Sequence, residues 1–357
     1  MSAATSVPWT EVVRAIDSGA ADAIRQDIAA RALDPCDIVA GYRQLYALRN
    51  GEEPDYGVRG LATAYGFLYL VHRAASIAEL LQPAIGVSER CRILDLGAGS
   101  GASVLALAAL RLSDIEVVAV EPSREMRAFP LMRPRPGLMV LEGTYDDVLS
   151  GALAVTGAFD AVLLSACFPY GWGGGSSRIP AIQFALNLRP LLKPNGLVLG
   201  IEPSAKHWTA AAAGAGLRSA DFSVVEGTAG GRDMRLPAPV TTALIEELAP
   251  GLRTCPNFDD GVDEMIGPPW MVETAAREPD VTYTALMLPL GASKAASRSS
   301  APTIGSRVAR TDPAASPRGP RRRPRRRVYS DGFPAIAVGV CLFAAVGALC
   351  ALAWWES

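Results

Sequence analysis

The sequence predicts an α/β fold: a doubly wound, mostly parallel sheet of seven strands with helices on both faces. A helical N-terminal extension precedes it and a single C-terminal transmembrane helix follows it. Three observations predict this. From Cys91 onward, short β-rich runs alternate with helical stretches, as a parallel sheet covered on both faces requires. A turn of three alternate glycines joins the first of those runs to an apolar helix. Residues 333–355, FPAIAVGVCLFAAVGALCALAWW, contain no charged side chain.

Residues 1–85 read as a helical cap. Val12, Val13 and Ile16, and later Leu61, Tyr65, Leu68, Val71, Ala75 and Ala78, recur at three- and four-residue spacing. The segment GEEPDYGVRG at 51–60 reads as a loop between two helical parts. Residues 86–290 form the α/β domain. Its strands are RILDL (92–96), EVVAVE (116–121), LMVLE (138–142), FDAVLLS (159–165) and GLVLGIE (196–202), with helical patterns at 101–112, 123–132, 144–151 and 178–192. SADFSVVEG (219–227) and VTYTALMLPL (281–290) read as an antiparallel pair closing the sheet, with a helix near 240–250 and the insertion CPNFDDGVDEMIGPPW between them.

Residues 291–330 are rich in Ser, Ala, Pro and Arg and hold almost no large apolar side chain, so they read as a disordered linker. The linker ends in RRRPRRR, and residues 331–357 read as a membrane anchor. At 1.5 Å per residue, about 21 helical residues span roughly 31 Å, the thickness of a hydrocarbon core. Trp354 and Trp355 suit the far interfacial belt and the arginines the cytoplasmic side. The expectation is a single-pass anchor with the remaining chain in the cytoplasm.

The net charge of −2 hides an asymmetry. From residue 291 onward there are eleven Lys and Arg against three acids, which leaves the first 290 residues with 23 basic and 33 acidic side chains, a net of −10. An acidic body argues against a nucleic-acid partner, whose phosphates are held by basic faces. Six cysteines without a CxxC pair, with only two histidines, argue against a structural zinc site and a disulfide framework. They read instead as small buried hydrophobes in a reduced compartment. MSAATSVPWTEVV carries no secretory signal pattern.

The chemistry centres on Ile93-Leu94-Asp95-Leu96-Gly97-Ala98-Gly99-Ser100-Gly101. Glycines there let the backbone turn sharply and lie against a ligand, and the helix beyond offers unpaired N–H groups. Gly97-x-Gly99-x-x-Ala102 also fits a dinucleotide fingerprint. Asp95 separates the two readings, since a carboxylate two residues before the first glycine repels a diphosphate and suits a cationic amino-acid moiety. In this the segment resembles the first motif of class I S-adenosylmethionine-dependent methyltransferases. Glu121 at the end of VVAVEPS, GTYDD at 143–147, FDAVLLS and LLKPNGLVLG resemble the later motifs of that family, so the resemblance covers about 90–202.

The resemblance implies S-adenosylmethionine as cofactor, with Asp95, Gly97, Ala98, Gly99 and Gly101 at its methionine end and Glu121 and Pro122 at the ribose. It places Thr144, Tyr145 and Asp146 near the adenine, although the family often carries Asp where Thr144 stands. Ser165, at the end of the fourth strand, would face the methyl group and the acceptor. The Asn/Asp-Pro-Pro-aromatic motif of nitrogen-methylating enzymes is absent: Ser165-Ala166-Cys167-Phe168 stands in its place. Cys167 reads as a buried thiol, and GWGGGSS (171–177) as either a lid or a surface loop.

Candidate bases are His207 and Glu202, with His72 behind them; Tyr65 and Tyr69 read as core-packing residues, with closure of the pocket from the N-terminal helix as the alternative. The resulting expectation is a membrane-tethered methyltransferase acting on a small-molecule, lipid or membrane-associated acceptor. The alternative is a catalytically silent scaffold that binds partners or anionic lipid through the basic tail.

Overall fold

The structure, a computed structural model, describes residues 7–49, 54–84, 90–112, 114–167, 180–203, 207–230, 232, 236–266 and 280–288. The glycine-rich loop at 171–177, the basic linker and the predicted anchor at 333–355 lie outside the described residues. Among the described residues, no helix is long and apolar enough to cross a membrane.

Seven strands form one mixed sheet in the order β3-β2-β1-β4-β5-β7-β6. They are β1 (Cys91–Leu96), β2 (Ile115–Val120), β3 (Leu138–Leu141), β4 (Phe159–Ser165), β5 (Leu192–Glu202), β6 (Phe222–Ala229) and β7 (Asp280–Met287). Strands β1 to β5 pair in parallel. The final strand lies antiparallel to both neighbours and is inserted between β5 and β6, so the sheet is less uniformly parallel than the sequence suggests. The expected β6–β7 antiparallel pair is present.

Each inner strand buries both faces. Ile93, Ala119, Leu163 and Leu199 point into one core, while Leu94, Val118, Val162 and Val198 point into the other. The first core is roofed by α1 (Trp9–Arg31), α2 (Pro35–Arg49), α3 (Leu61–Tyr65), α4 (Val71–Ala84) and α5 (Ala102–Ala109), with the short α6 (Arg124–Arg127) at its rim. α10 (Val240–Arg253) and α11 (Asp260–Ile266) complete that side. The second core is covered by α7 (Tyr145–Leu149), α8 (Ala181–Leu188) and α9 (His207–Ser219).

The N-terminal helices are thus part of the main apolar interior. Val12, Ile16, Ala20 and Ile24 are fully buried along one stripe of α1, as their spacing requires. From the same helix the buried Asp17 accepts hydrogen bonds from the backbone amides of Val240 (2.6 Å) and Thr241 (3.2 Å), capping α10 across more than 220 residues of sequence.

Three features differ from the sequence reading. α9 is a full helix over a stretch to which the sequence reading assigned no element. Its Gly216 explains this: a side chain there would sit 2.3 Å from the carbonyl oxygen of Ala181, so the glycine that weakens the helical signal is what lets α9 lie against α8. The Gly/Pro/Asp-rich insertion contains α11, whose Val262, Met265 and Ile266 are buried. Cys36 and Cys255 form a disulfide, with Cα atoms 5.4 Å apart. This corrects the expectation of reduced, unpaired cysteines. The partners are 219 positions apart and meet only because α10 packs on α2, which spacing cannot reveal. Cys91 and Cys167 take no part in a disulfide among the described residues.

A cross-link closing so long a loop limits the freedom of the unfolded chain. Reduction, or Cys255→Ala, should lower stability by about 2–4 kcal/mol in denaturant titration. Identical midpoints with and without reductant would show that the bond contributes nothing.

Candidate functional site

In the strand order the chain reverses direction between β1 and β4, and ligands of open α/β sheets bind beyond the carboxyl ends of the strands at such a point. A pocket lies there, lined by Tyr65, Arg73, Ile77, Asp95, Gly97, Ala98, Gly99, Ser100, Ser103 and Ser165, among others. Six of these ten come from the first glycine motif and its flanking residues, and one from the end of the fourth strand.

The motif turns as its glycines require: Gly97, Gly99 and Gly101 have φ of +75°, +55° and +91°. Gly97 is also fixed by a close approach, since a Cβ on it would stand 2.5 Å from the Cβ of Cys167. Cys167 reaches that place because Ala166 takes a left-handed turn at φ +50°, with its amide donating to the Ile201 carbonyl at 2.8 Å. A non-glycine residue in that region carries local strain, which is tolerated where a site needs the geometry.

Asp95 is 2% exposed. Its Oδ2 accepts a short hydrogen bond from the Ser103 hydroxyl, and its Oδ1 is buried with no hydrogen-bond partner among the described residues. Burial lifts its pKa to about 7; the Ser103 hydrogen bond offsets part of this and the charge of Glu121 adds to it. Ser100 Oγ is likewise buried without a partner. Glu121 accepts from the Gly99 amide through Oε2 and from the Ser123 amide through Oε1, both at 2.8 Å, so it ties the second loop to the first. Burial raises its pKa as well, against the pull of those two amides and of Arg127.

The roof of the pocket comes from the N-terminal helices, and the backbone explains how. Gly66–Leu70 is a π-helical turn set between α3 and α4. In a regular helix, eight residues carry Tyr65 and Arg73 about 80° apart around the axis; the extra residue of a π turn takes back about 100°. Both therefore face the pocket, with Ile77 one turn further on. Tyr65 stacks obliquely on Tyr69, with ring centroids 5.1 Å apart.

The other expected residues are not among those that line this pocket. Pro122 is exposed, and its carbonyl accepts from Arg127 at 2.6 Å. Thr144 is the N-cap of α7, and its hydroxyl is engaged with Asp147 in a capping box. Tyr145 packs against the second core, and Asp146 lies beside it in the first turn of α7. Glu202 is fully buried at the end of β5, where its charge acts on Arg73 and on the Tyr283 hydroxyl. His72 is 2% exposed and lies in the interior, its Nε2 3.0 Å from Asp280. His207 is the first residue of α9, and its side chain lies outside the described residues. Arg73, Ser100, Ser103 and Asp280 were not singled out in the sequence. Only the one-turn spacing of Arg73 from Tyr69 and Ile77 hinted that it faces inward.

No family model and no curated protein matches the chain. Among solved structures it is similar to an S-adenosylmethionine-dependent methyltransferase from Thiobacillus denitrificans in complex with S-adenosylhomocysteine, at 17% identity over 61% of this chain and 91% of that one, with TM-score 0.38. It is similar to a methyltransferase from Aquifex aeolicus at 12% identity over 60% of this chain and 92% of that one, with TM-score 0.37. Against phosphoethanolamine N-methyltransferase 2 of Haemonchus contortus the identity is 14% over 60% of this chain, with TM-score 0.38, and the chain spans about half of that protein's length, 52%.

The raised pKa of Asp95 has a measurable consequence. The folded chain keeps a proton that the unfolded chain releases near pH 4, so the stability this contributes is complete below that pH and is lost as pH rises through about 7. Asp95→Asn should therefore be more stable than the wild type at pH 8 by about 2–4 kcal/mol, and equal to it near pH 4. Parallel stability profiles for the two proteins would contradict this protonation state.

Proposed function

We propose that this chain is an S-adenosylmethionine-dependent methyltransferase, tethered to a membrane by residues 333–355 and acting on a small-molecule, lipid or membrane-associated acceptor. The observation that carries the reading is the pair Asp95 Oδ1 and Ser100 Oγ, buried without partners among the described residues on a glycine turn at the carboxyl edge of the sheet. Buried polar atoms are nearly always hydrogen-bonded, so two such atoms on one pocket wall suit a ligand that supplies donors.

The donor set fits the cofactor. Asp95 would hold the α-ammonium group and Ser100 would hydrogen-bond the same amino-acid end. Gly97 and Gly99 keep side chains out of its path. Glu121, held by two backbone amides, has lone pairs left for ribose hydroxyls. Bound there, S-adenosylmethionine supplies an electrophilic methyl group on a sulfonium centre. The task of the protein is then to align and to exclude water. Ser165, at the end of β4, borders the place of transfer. An acceptor that arrives unprotonated requires no base; for one that carries a proton, Glu202 and His207 are the candidates.

The remaining chain is assigned by composition. Residues 1–85 act as the helical cap, 86–290 as the methyltransferase domain, 291–330 as a basic linker and 331–357 as the anchor, with the enzyme on the cytoplasmic side. Tethering raises the local concentration of membrane-borne acceptors, and a linker of some forty residues still leaves soluble ones within reach.

Calorimetric titration of the full chain should give micromolar binding of S-adenosylmethionine and S-adenosylhomocysteine. Glu121→Ala should weaken it at least tenfold, and Gly99→Asp should abolish it, because a side chain there enters the pocket. A folded wild type that binds neither ligand would remove the enzyme reading and favour the silent scaffold.

A further inference from the structure

The Cys36–Cys255 bond faces solvent from one side. Cys36 stands exposed in the first turn of α2, whereas Cys255, just past the end of α10, is 6% exposed. Thiol–disulfide exchange needs the attacking sulfur in line with the S–S bond, on the far side of the sulfur it attacks, so access decides which end is entered. Of the two sulfurs, that of Cys36 offers the approach.

We propose that Cys36 is a thiol-exchange site: a small thiol enters the disulfide there, Cys255 leaves, and the opened bond loosens the α2–α3 part of the pocket's roof. In the first step a thiolate bonds to Cys36 Sγ. The Sγ–Sγ bond breaks, and its electron pair leaves on Cys255 Sγ, which takes a proton from water. With a dithiol, the second thiolate attacks the mixed disulfide and Cys36 Sγ leaves in turn. The dithiol is oxidised to its own disulfide, and the protein bond is reduced by two electrons to two thiols. On the proposed orientation the body of the chain faces the cytoplasm, where thiols open disulfides they can reach.

What the bond holds is visible around the first turn of α2. Asp34 and Asp37 cap that turn reciprocally: the Asp37 amide donates to Asp34 Oδ1 at 2.9 Å, and the Asp34 amide to Asp37 Oδ2 at 3.1 Å. Asp37 also pairs with Arg59 at 3.0 Å, and a Cβ on Gly60 would stand 2.2 Å from the Asp37 carbonyl oxygen. The backbone that leads into α3 therefore lies directly against this turn, and α3 ends at Tyr65, which lines the pocket. The Arg59 side chain is half exposed, so its ion pair holds the turn weakly. Towards α10 the turn meets Gly251, where a Cβ would lie 3.3 Å from the Pro35 ring. At its other end α2 is seated on α11, with the Tyr46 ring against Gly261. The disulfide is thus the firm tie of one end of α2, and a segment held by few buried contacts opens at lower cost than the core.

The test uses the full chain, prepared without reductant and free of S-adenosylmethionine. Its peptide map should contain the Cys36–Cys255 linked pair. After incubation with glutathione under native conditions and acid quenching, the adduct should sit on Cys36 in at least about tenfold excess over Cys255. Hydrogen exchange is then compared with and without dithiothreitol. Reduction should speed exchange at least about threefold over 36–49, 58–65 and 250–258 and leave β1 and β4 unchanged. Cys36→Ser should match the reduced wild type and be insensitive to dithiothreitol. A missing linked pair, an adduct mainly on Cys255, or a bond that opens only as fast as the whole chain unfolds would overturn the exchange site. Unchanged exchange over 58–65, or a Cys36→Ser protein that still responds to dithiothreitol, would overturn the link to the roof. The adduct map and the wild-type comparison need no variant and no cofactor, so their failure is distinct from failure of the methyltransferase reading.

Discussion

The ion pair between Arg73 and Asp280 joins the helix that roofs the pocket to the strand that completes the sheet, and much else depends on it. Two charges removed from water are stabilising only when each is well matched. Here Asp280 serves three donors, and Arg73 is further bonded by Tyr65. That contact fixes α4 across the carboxyl ends of the strands, which in turn shields Asp95 from solvent. Without the roof, Asp95 would be an ordinary exposed carboxylate rather than one whose pKa stands near 7.

A second set of contacts fastens the same helices at the end of β2. Glu125 accepts from the Gly60 amide at 2.8 Å and from Arg31 at 2.7 Å; Arg31 also reaches Asp27 at 2.8 Å, and Thr63 donates to that same aspartate. Ser123 donates to the Tyr56 carbonyl at 2.8 Å. Glu125 and Ser123 lie within four residues of Glu121, so the loop that follows β2 holds both the N-terminal helices and the glycine turn. Burial raises the pKa of Asp27 in this network, though Thr63 and Arg31 oppose the shift. The roof and the floor of the pocket are therefore mechanically one structure, tied at Asp280 on one side and at Glu125 on the other.

What the sequence made legible follows from the range of the forces involved. The strands and the glycine turn are local signals: buried runs, a turn that needs positive φ, and an acid at a strand end. Asp95, Gly97, Ala98 and Gly99 carry such signals and line the pocket, and Ser165, which only the resemblance pointed to, lines it as well. Thr144 was drawn to the site by resemblance, whereas its own chemistry, a hydroxyl three residues before an acid, specifies a helix cap. Arg73 and Asp280 were missed because a lone arginine in an apolar helix and a lone aspartate before a strand carry no pattern; only the sheet order brings them together. The Cys36–Cys255 disulfide escaped for the same reason, and α9 because its Gly216 serves packing against α8 rather than helix propensity.

The charges of the pocket form a coupled set. Asp95 and Glu121 repel one another through a poorly screened interior, and each is raised in pKa mainly by burial. Glu121 is pinned by the Gly99 amide, so the position of the glycine turn and the repulsion felt by Asp95 cannot vary independently. A cation arriving at Asp95 Oδ1 would relieve both costs together, since it neutralises the acid and removes its repulsion of Glu121. The same burial that makes an ionised Asp95 expensive in the free protein excludes the water that would compete for the contact. Stability is thus given up at the point where, on the proposed function, ligand charge would restore it. That is why an acid at the end of β1, rather than another apolar residue, is compatible with a fold otherwise packed on both faces.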